Sequence, residues 1–410
     1  MKRVVITGAG VISPVGNDVN AFFRNLTQGV CGIGPITRFE TEGYRAKVAA
    51  EVKGFDAEAA GIERAQARRM DLFAQYAMAA AMQAVADSGI EGRVEPERLG
   101  VYVGSGIGGM QTFVQETEKL LQRGPGRVSP FFVPMMIGNM AAGNIAIRFN
   151  AEGPCLPVVT ACATGSHAIG EAFRAIRYGH ADAVIAGGAE ATITPLAVAG
   201  FTSMKALSES GDPSAASLPF DARRAGFVMG EGSGIVVLEE LEHALARGVH
   251  IYAEVCGYGN TCDAYHITAP QPEAVGAASA IKLALQEAGF AGEKLYINAH
   301  GTGTPMNDRV ETLAIRKALG EEAARAAWVS STKSMTGHML GAAGGVEAIV
   351  SALALREGVI PPTIHLEQPD PDCDLNYVPG AAVKADVEFA LSSSLGFGGH
   401  NAVLAFRKYR

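Results

Sequence analysis

Charged residues are scarce in this 410-residue sequence, and no apolar run is long enough to cross a membrane. Asp, Glu, Lys and Arg make up 19% of the chain and hydrophobic residues 48%, a balance typical of a folded globular protein. The short apolar stretch after the first three residues is broken by Gly8, Gly10 and Pro14, and no signal-peptide cleavage pattern follows it. We therefore expect a cytoplasmic protein that does not bind membranes.

Several motifs that would indicate a metal or a nucleotide are missing. The six cysteines contain no C-x-x-C pair, and the nine histidines contain no H-E-x-x-H pattern. The glycine-rich "TGAGVISPVG" lacks the third glycine of a dinucleotide fingerprint and has Pro14 where a helix should begin. The net charge of −8 argues against nucleic acid as a partner, although a local basic patch can still bind an acidic protein. No metal or other cofactor is expected.

Strand-like and helix-like segments alternate along the whole chain. The pattern predicts buried strands at "RVVITGAG", "LGVYVGSG", "CLPVVTAC", "DAVIAGGAE", "GIVVLEE", "IYAEVCGYG", "LYINAHGTG", "WVSSTKSM" and "AVLAFRKY". It predicts helices at "RMDLFAQYAMAAAMQAVADSG", "AVGAASAIKLALQEAG" and "GGVEAIVSALALREG". Because buried sheets need covering helices, the sequence predicts an α/β protein.

The two halves of the chain look like variations on one plan. "VYVGSGIGG" in the first half and "SSSLGFGG" in the second are both strand-like runs that end in a glycine-rich turn. The alternation restarts after about residue 250, and no low-complexity linker marks the boundary. We expect two closely packed halves, residues 1–250 and residues 251–410.

Cys162 stands at a corner between a strand-like run and a helix-like run. The strand "PVVTA" is expected to deliver the thiol to a sharp turn, and a helix is expected to begin near Thr164 or Gly165. Free N–H groups at a helix N-terminus stabilise a thiolate, and the small residues Ala163 and Gly165 are expected to leave room for a substrate. The residues alone leave two interpretations open, a buried structural thiol or an activated nucleophile.

Two histidines follow strand-like runs and have small neighbours. His300 stands in "INAHGTGTP" and His338 in "STKSMTGHMLGAAGG". A cysteine protease needs a single histidine base with an orienting Asn or Asp. Two histidines in similar settings favour acyl-thioester chemistry, in which both donate hydrogen bonds to a thioester oxygen while a carbanion forms beside it.

Four segments, in this order, resemble the signature motifs of the β-ketoacyl-acyl-carrier-protein synthases. They are "TACATGSHAIGEA", "NAHGTGTP", "SSTKSMTGHMLGAAGGVE" and "LGFGGHN". The resemblance runs essentially from end to end, and "SPFFVP" is similar to the elongating type II branch of fatty-acid synthesis. It implies the thiolase fold, in which two duplicated α/β halves form a five-layered α-β-α-β-α arrangement, and a homodimer.

The resemblance also implies roles for individual residues. Cys162 accepts an acyl chain from an acyl carrier protein, while His300 and His338 assist decarboxylation of malonyl-acyl carrier protein. The N–H groups of Cys162 and Phe397 form an oxyanion hole. Phosphopantetheine arrives on the carrier protein.

Further residues are assigned only by matching the family's positions. Lys333 forms a charge pair with Glu347, which is counted among the residues around the substrate. The other residues assigned to the substrate or its acyl chain are Thr302, Thr304, Ile107, Leu395 and Phe132 of the partner subunit. The residues assigned to carrier-protein docking are Arg64, Arg68, Arg69, Arg127 and Lys205.

Some positions depart from the commonest pattern of that branch. Ser393 and Leu395 replace an asparagine and a phenylalanine in the last motif, and His400 replaces a threonine. "HGTGTPMNDRVET" is closer to polyketide ketosynthases, so a type II polyketide or other specialised acyl pathway is the alternative. A thiolase is disfavoured because "GFGG" contains no second cysteine. A non-catalytic acyl-binding partner subunit is disfavoured because the nucleophile is present.

Overall fold

The computed structural model describes all residues from 1 to 410, and nine of its thirteen strands join in a single mixed sheet. The strands are β1 (Val4–Ile12), β2 (Gly34–Pro35), β3 (Val48–Ala49), β4 (Leu99–Gly104), β5 (Ala183–Glu190), β6 (Gly232–Glu240), β7 (Ala253–Cys262), β8 (Leu295–Asn298), β9 (Trp328–Ser330), β10 (Val359–Ile360), β11 (Val383–Lys384), β12 (Phe389–Gly396) and β13 (His400–Arg407). The long strands are apolar on both faces because helices cover both sides of the sheet.

Fourteen helices surround these strands. They are α1 (Val19–Thr27), α2 (Arg64–Ala67), α3 (Leu72–Ser88), α4 (Met110–Arg123), α5 (Phe132–Met136), α6 (Met140–Phe149), α7 (Thr164–Arg177), α8 (Pro195–Ser203), α9 (Leu241–Arg247), α10 (Val275–Ala288), α11 (Pro305–Leu319), α12 (Glu321–Ala326), α13 (Lys333–Thr336) and α14 (Ala343–Glu357). Helix α3 shows how local sequence sets where a helix begins and ends. The Asp71 carboxylate caps its first turn, and Gly89 ends it in a left-handed conformation.

The sheet has the order β4-β5-β6-β1-β7-β13-β12-β8-β9. Neighbouring strands are parallel at the two ends of the sheet and antiparallel in its middle. Strands β1 and β7 pair only at Val4–Ile6, and this short ladder joins the strands of the first half to those of the second. The α/β architecture predicted from the alternation of strands and helices is therefore present, in the form of a mixed sheet.

The helices divide the molecule into five layers. Helices α3 and α6 cover the outer face of the first-half strands, and α10 contacts the outer face of β7 and β13. Helices α7 and α14 lie between the halves and contact strands of both. The largest buried apolar cluster therefore contains 45 residues drawn from both halves. The five-layered thiolase-like arrangement is confirmed.

The two central helices begin in the same way. A 3₁₀ turn over Ala161–Ala163 precedes α7, and another over Leu340–Ala342 precedes α14. The first residue of each turn has a positive φ, 50° at Ala161 and 47° at Leu340, which is rare for residues other than glycine. This shared geometry supports duplication and makes Gly341 the counterpart of Cys162.

One strand predicted from sequence is absent. Residues 156–160 form no strand, and Val159 is 58% exposed. Within these residues the only backbone hydrogen bond to the sheet is from the Leu156 N–H to the Val101 carbonyl at 3.0 Å, and Pro157 has no N–H to donate. No helix in the structure is long and apolar enough to span a membrane.

Candidate active site

A cavity of about 300 Å³ lies where the two halves meet. It is lined by side chains from the turn before α7, from the segments after β8 and α13, and from the end of β12. Cys162, His300 and His338 all line it, although they are far apart in sequence. The structure thus brings the three candidate reactive groups to one place.

Cys162 occupies the middle of the 3₁₀ turn that leads into α7, and only 7% of its surface is exposed. The positive φ at Ala161 makes the chain turn sharply just before the thiol. Thr160 stabilises this turn, since its carbonyl accepts the Ala163 N–H at 3.0 Å and its N–H donates to Thr164 Oγ1 at 2.9 Å. The sharp turn is present, but an irregular segment rather than a strand leads into it.

The turn between β12 and β13 lies against the Cys162 turn. A Cβ on Gly396 would lie 2.7 Å from the Thr160 carbonyl oxygen, so only glycine fits this close approach. The backbone N–H groups of Phe397 and Cys162 interact with the sulfur of Cys162. These are the two amides expected to form an oxyanion hole.

The thiol of Cys162 is held in its neutral form. Burial raises its pKa to about 12, although the Lys333 ammonium and the two amides act in the opposite direction. The two amides lower the pKa of the thiol, which is the direction expected at the α7 N-terminus, but loss of hydration raises it by more.

Gly165 has a different role from the one expected. A Cβ at this position would lie 2.6 Å from the Gly345 backbone nitrogen in α14, so the missing side chain lets the two central helices approach closely. It therefore serves helix packing and not substrate access.

His300 is positioned by a carboxylate on α11. Glu311 accepts the backbone N–H groups of His300 at 2.6 Å and Gly301 at 2.7 Å. This fixes the turn after β8, so that the imidazole enters the cavity from a rigid base. Burial raises the pKa of the Glu311 carboxyl to about 7, while the two amides lower it.

His338 is held by main-chain bonds to the segment before β6. Its N–H donates to the Val228 carbonyl at 2.7 Å, and its carbonyl accepts the Gly230 N–H at 2.8 Å. The Phe227 ring lies edge-on to the imidazole, with 5.1 Å between ring centroids. Both hydrogen bonds involve only the backbone of His338, so its imidazole ring is not used to hold the segment in place.

The two imidazoles form a neutral pair. Their ring centroids are 5.2 Å apart and their planes are nearly perpendicular. Burial and then the Lys333 ammonium hold the pKa of both His300 and His338 well below the usual range. Each Nδ1 is buried without a hydrogen-bond partner, so Nε2 is the nitrogen available to a ligand. Neutral imidazoles of this kind can donate to a developing negative charge.

Lys333 and Glu347 form a buried ion pair between α13 and α14. The ammonium donates to Glu347 Oε1, and the two side chains are only 1% and 3% exposed. Burial raises the pKa of the Glu347 carboxyl, and Lys333 opposes this shift. Glu347 does not line the cavity, so its placement among the residues around the substrate is corrected: it contacts Lys333 instead.

Three of the predicted substrate contacts line the cavity, Thr302, Thr304 and Leu395, together with Phe397 of the expected oxyanion hole. The two threonine hydroxyls are 3.1 Å apart. Thr304 also caps α11 by accepting the Asn307 N–H at 3.4 Å, so its turn-stabilising role coexists with its place in the cavity.

Ile107 and Phe132 do not line this cavity within the single chain. Ile107 is exposed in the turn after β4, and Phe132 begins α5. The role of Phe132 requires a second chain, so the place of both residues in an acyl channel stays a prediction.

The five predicted docking residues are exposed, but only Lys205 lines the cavity. Arg64 and Arg68 lie at α2, where Arg64 approaches Glu58. The Arg69 guanidinium lies 5.0 Å from the centre of the Phe131 ring, which links α2 to the segment containing Arg127. Carrier-protein docking at these residues stays a prediction.

Sequence reasoning missed several residues of the site. Phe201, Phe227 and Asp263 line the cavity, yet they lie in segments without a distinctive pattern. Asn401 also lines it and ends the signature segment "LGFGGHN", but no role was assigned to it. It also missed Glu190, at the end of β5, whose charge acts on the thiol of Cys162. A signal existed for this residue, since "DAVIAGGAE" ends an otherwise apolar strand with a carboxylate.

Comparison with known proteins gives matches along nearly the whole chain. Residues 1–244 match the β-ketoacyl synthase N-terminal domain, and residues 252–367 match the β-ketoacyl synthase C-terminal domain. Proteins named 3-oxoacyl-[acyl-carrier-protein] synthase 2 from Synechocystis sp. and from Staphylococcus aureus (strain COL) are each 53% identical to it. Each alignment covers 100% of this chain and 99% of the relative.

Solved structures agree in fold over the full length. The ishigamide ketosynthase/chain length factor is similar with a TM-score of 0.93 at 40% identity, covering 100% of both chains. A β-ketoacyl synthase from Burkholderia phymatum STM815 has a TM-score of 0.92 at 35% identity, also over 100% of both chains. A type II polyketide synthase acyl-carrier protein in complex with its ketosynthase bound to the hexaketide has a TM-score of 0.90 at 33% identity, with the same coverage. On its fold, its cavity and these matches, the chain belongs to the β-ketoacyl synthase family.

Proposed function

We propose that this protein condenses an acyl group held on Cys162 with malonyl-acyl carrier protein, giving 3-oxoacyl-acyl carrier protein in fatty-acid elongation. The observation that carries the proposal is the meeting of one buried thiol and two neutral imidazoles in a single cavity. Full-length relatives at 53% identity with the name 3-oxoacyl-[acyl-carrier-protein] synthase 2 support it.

The first step moves the acyl group to the enzyme. The sulfur of Cys162 attacks the thioester of acyl-acyl carrier protein, and the phosphopantetheine thiol leaves with the proton that Cys162 loses. Because burial keeps the free thiol neutral, this proton must leave as the carbon–sulfur bond forms. The amides of Phe397 and Cys162 are placed to receive the thioester oxygen as it becomes negative.

The second step removes CO₂ from the malonyl group. Breaking the carbon–carboxylate bond leaves its electron pair in an enolate, whose oxygen carries the new negative charge. Nε2–H groups of His300 and His338 donate to that oxygen. A neutral pair suits this task, because a donor is needed and no proton has to be surrendered to the enolate.

The third step forms the carbon–carbon bond. The enolate carbon attacks the acyl thioester on Cys162, and the sulfur leaves as the carbonyl re-forms. The departing thiolate takes up a proton from solvent and regenerates the neutral thiol favoured by burial. Loss of CO₂ makes the sequence favourable, so the chemistry requires no metal or redox group.

The acyl carrier protein presents its substrate through phosphopantetheine. Thr302 and Thr304 line the same cavity as the histidines, and their hydroxyls can hydrogen-bond the amides of that arm. Lys205 also lines the cavity and carries a charge complementary to an acidic carrier protein. A solved relative that contains an acyl-carrier protein supports this type of partner.

A ketosynthase of a specialised acyl pathway is the second candidate. It is favoured by Leu395, which replaces the usual aromatic residue in the cavity wall, and by the 40% identical ishigamide ketosynthase. The two candidates share the chemistry and differ in the product. A fatty-acid enzyme makes one elongation at a time on a saturated chain, whereas a polyketide enzyme extends an unreduced chain repeatedly.

One experiment tests the reaction and separates the candidates. The protein is incubated with malonyl-carrier protein and saturated acyl-carrier proteins of graded length, and products are read by intact-protein mass spectrometry. A single two-carbon extension supports the proposal, and a ladder of unreduced extensions supports the second candidate. Cys162→Ala is the control: condensation by this variant would contradict both.

The active assembly is proposed to be a homodimer. Large apolar side chains stay exposed on successive segments between α4 and α7, namely Leu121, Val133, Ile147, Leu156 and Val159. Exposed apolar residues in such number favour burial against another chain. Sedimentation equilibrium should give twice the chain mass of 42.6 kDa, and a monomer at working concentration would contradict the dimer.

A further inference from the structure

Glu190 is a buried carboxylate without a basic partner. It ends β5, its exposure is 0%, and it takes part in none of the ion pairs of the structure. Transfer of an ionised carboxylate into a protein interior costs several kcal/mol unless other groups replace its hydration. Burial accordingly raises the pKa of Glu190 to about 7, while its hydrogen bonds lower it.

Its hydrogen bonds come from two turns that are far apart in sequence. Ser105 Oγ donates to Oε1 at 2.9 Å, and the N–H of Gly106 donates to Oε2 at 2.9 Å. The N–H of Gly341 donates to the same Oε2 at 3.1 Å. The first two donors belong to the turn after β4, and the third belongs to the turn before α14.

Both turns are shaped around this carboxylate. A Cβ would lie 2.8 Å from Oε2 at Gly106 and 2.9 Å from it at Gly341. Ser105 Oγ also accepts the Gly108 N–H at 2.9 Å, which extends the fixed segment past Ile107. The close approach leaves the two turns little freedom while the carboxylate is present.

The two turns flank the reacting groups. The second turn follows His338 directly and is the duplicated counterpart of the Cys162 turn. A Cβ on Gly106 would lie 2.8 Å from Glu190 Oε2 and 3.3 Å from the carbonyl oxygen of Ala161, so the carboxylate lies beside the turn that carries Cys162. Its charge raises the pKa of the Cys162 thiol. None of the steps derived above uses this carboxylate.

We propose that Glu190 is a positioning residue that fastens the turn after β4 and the turn after His338 to each other, and that its negative charge lowers the reactivity of the Cys162 thiol. Both effects follow from one geometry, since the carboxylate accepts bonds from the two turns and lies beside the Cys162 turn. The effect on condensation rests on the proposed function, whereas the effect on the thiol does not.

Glu190→Gln separates the two effects because it should lower the rate of condensation and raise the rate of Cys162 alkylation. A glutamine keeps the size of the side chain, and the Ser105 hydroxyl can turn to accept from its NH₂, but the N–H groups of Gly106 and Gly341 then donate to a neutral oxygen instead of a charged one. Hydrogen bonds to a neutral acceptor are about half as strong, so the two turns are held less firmly and condensation should fall about tenfold. Removal of the negative charge should speed alkylation of Cys162 about three- to tenfold at pH 8.

The test measures condensation turnover and the rate of iodoacetamide labelling of the Cys162 peptide by mass spectrometry. Faster labelling of Cys162 together with slower condensation in Glu190→Gln supports the proposal. If both rates fall together, or neither changes, the proposal is overturned. If the parent shows no condensation, the proposed function fails, yet the labelling result still decides the effect on the thiol.

Two further variants guard against simple misfolding. Glu239→Gln is the matched control, because Glu239 is also a fully buried glutamate on a strand of the same sheet. Its backbone pairs with that of Ala183, at the end of β5 opposite to Glu190. It should leave labelling of Cys162 unchanged. Ser105→Ala removes one donor and keeps the charge, so it should slow condensation without speeding labelling. Faster labelling in Glu239→Gln, or unchanged condensation in Ser105→Ala, would contradict the proposal.

Discussion

Replacement of Lys333 by methionine tests how the buried ion pair supports the histidines. The change leaves the Glu347 carboxylate buried without a partner, and its Oε2 already lacks a hydrogen bond. Breaking a buried pair from one side costs about 3–5 kcal/mol. With about 2.1 cal/mol/K of unfolding entropy per residue over 410 residues, this predicts a fall in Tm of about 3–6 °C.

The same variant should change the pH dependence of decarboxylation. Lys333 lowers the pKa of His300 and His338, so its removal lets both imidazoles take up a proton at higher pH. Protonated imidazoles are no longer the neutral donors that the proposed decarboxylation uses. The fall in the rate of malonyl decarboxylation at acid pH should therefore begin at a higher pH than in the parent. Scanning fluorimetry and a CO₂-release assay between pH 5 and pH 8 measure the two effects.

A second substitution separates stability from chemistry. Lys333→Met combined with Glu347→Leu removes both charges and should restore most of the lost Tm, because no uncompensated carboxylate remains. The acid limb should stay shifted, since the ammonium that acts on the histidines is still absent. An unchanged Tm in the single variant, or recovery of the parental pH profile in the double variant, would refute the reasoning.

Three other changes give simple expectations. His300→Ala or His338→Ala should slow malonyl decarboxylation by about 10²–10³ while acylation of the thiol persists, and parental decarboxylation in both would contradict their role as donors. Arg68→Glu with Arg69→Glu should raise KM for the carrier protein, and the parental KM should rise with salt; a salt-insensitive KM would exclude the patch. Leu395→Phe should narrow the range of acyl lengths loaded, because a larger side chain fills the cavity wall; an unchanged loading profile would show that this position only packs.

Local sequence patterns predicted much of the secondary structure. Apolar runs gave β1 and β5, and helical spacing ending in glycine gave α3 and α14. The start of α7 beside Cys162 was also predictable, because a short small-residue turn and a helical pattern follow the thiol directly. These features depend on neighbours in the chain, which a sequence displays. Whether each half is a separate domain stays a prediction.

The segment at residues 156–160 shows the limit of prediction from local sequence pattern. "PVVTA" has the residues of a strand, but residues 156–160 make a single backbone hydrogen bond to the sheet edge, from Leu156 to Val101, and remain irregular. An extended segment becomes a strand only when a neighbour accepts its hydrogen bonds, and that neighbour is chosen by tertiary packing.

The sequence by itself indicated the candidate reactive groups: one thiol before a helix, and two histidines after strand-like runs. Tertiary structure alone decided their ionisation and their supports. Burial raises the pKa of Cys162, Lys333 acts on both histidines, and Glu190 joins turns that are more than 200 residues apart. The reason is physical: a backbone preference is local, whereas dehydration and electrostatic interaction depend on every group that folding brings near.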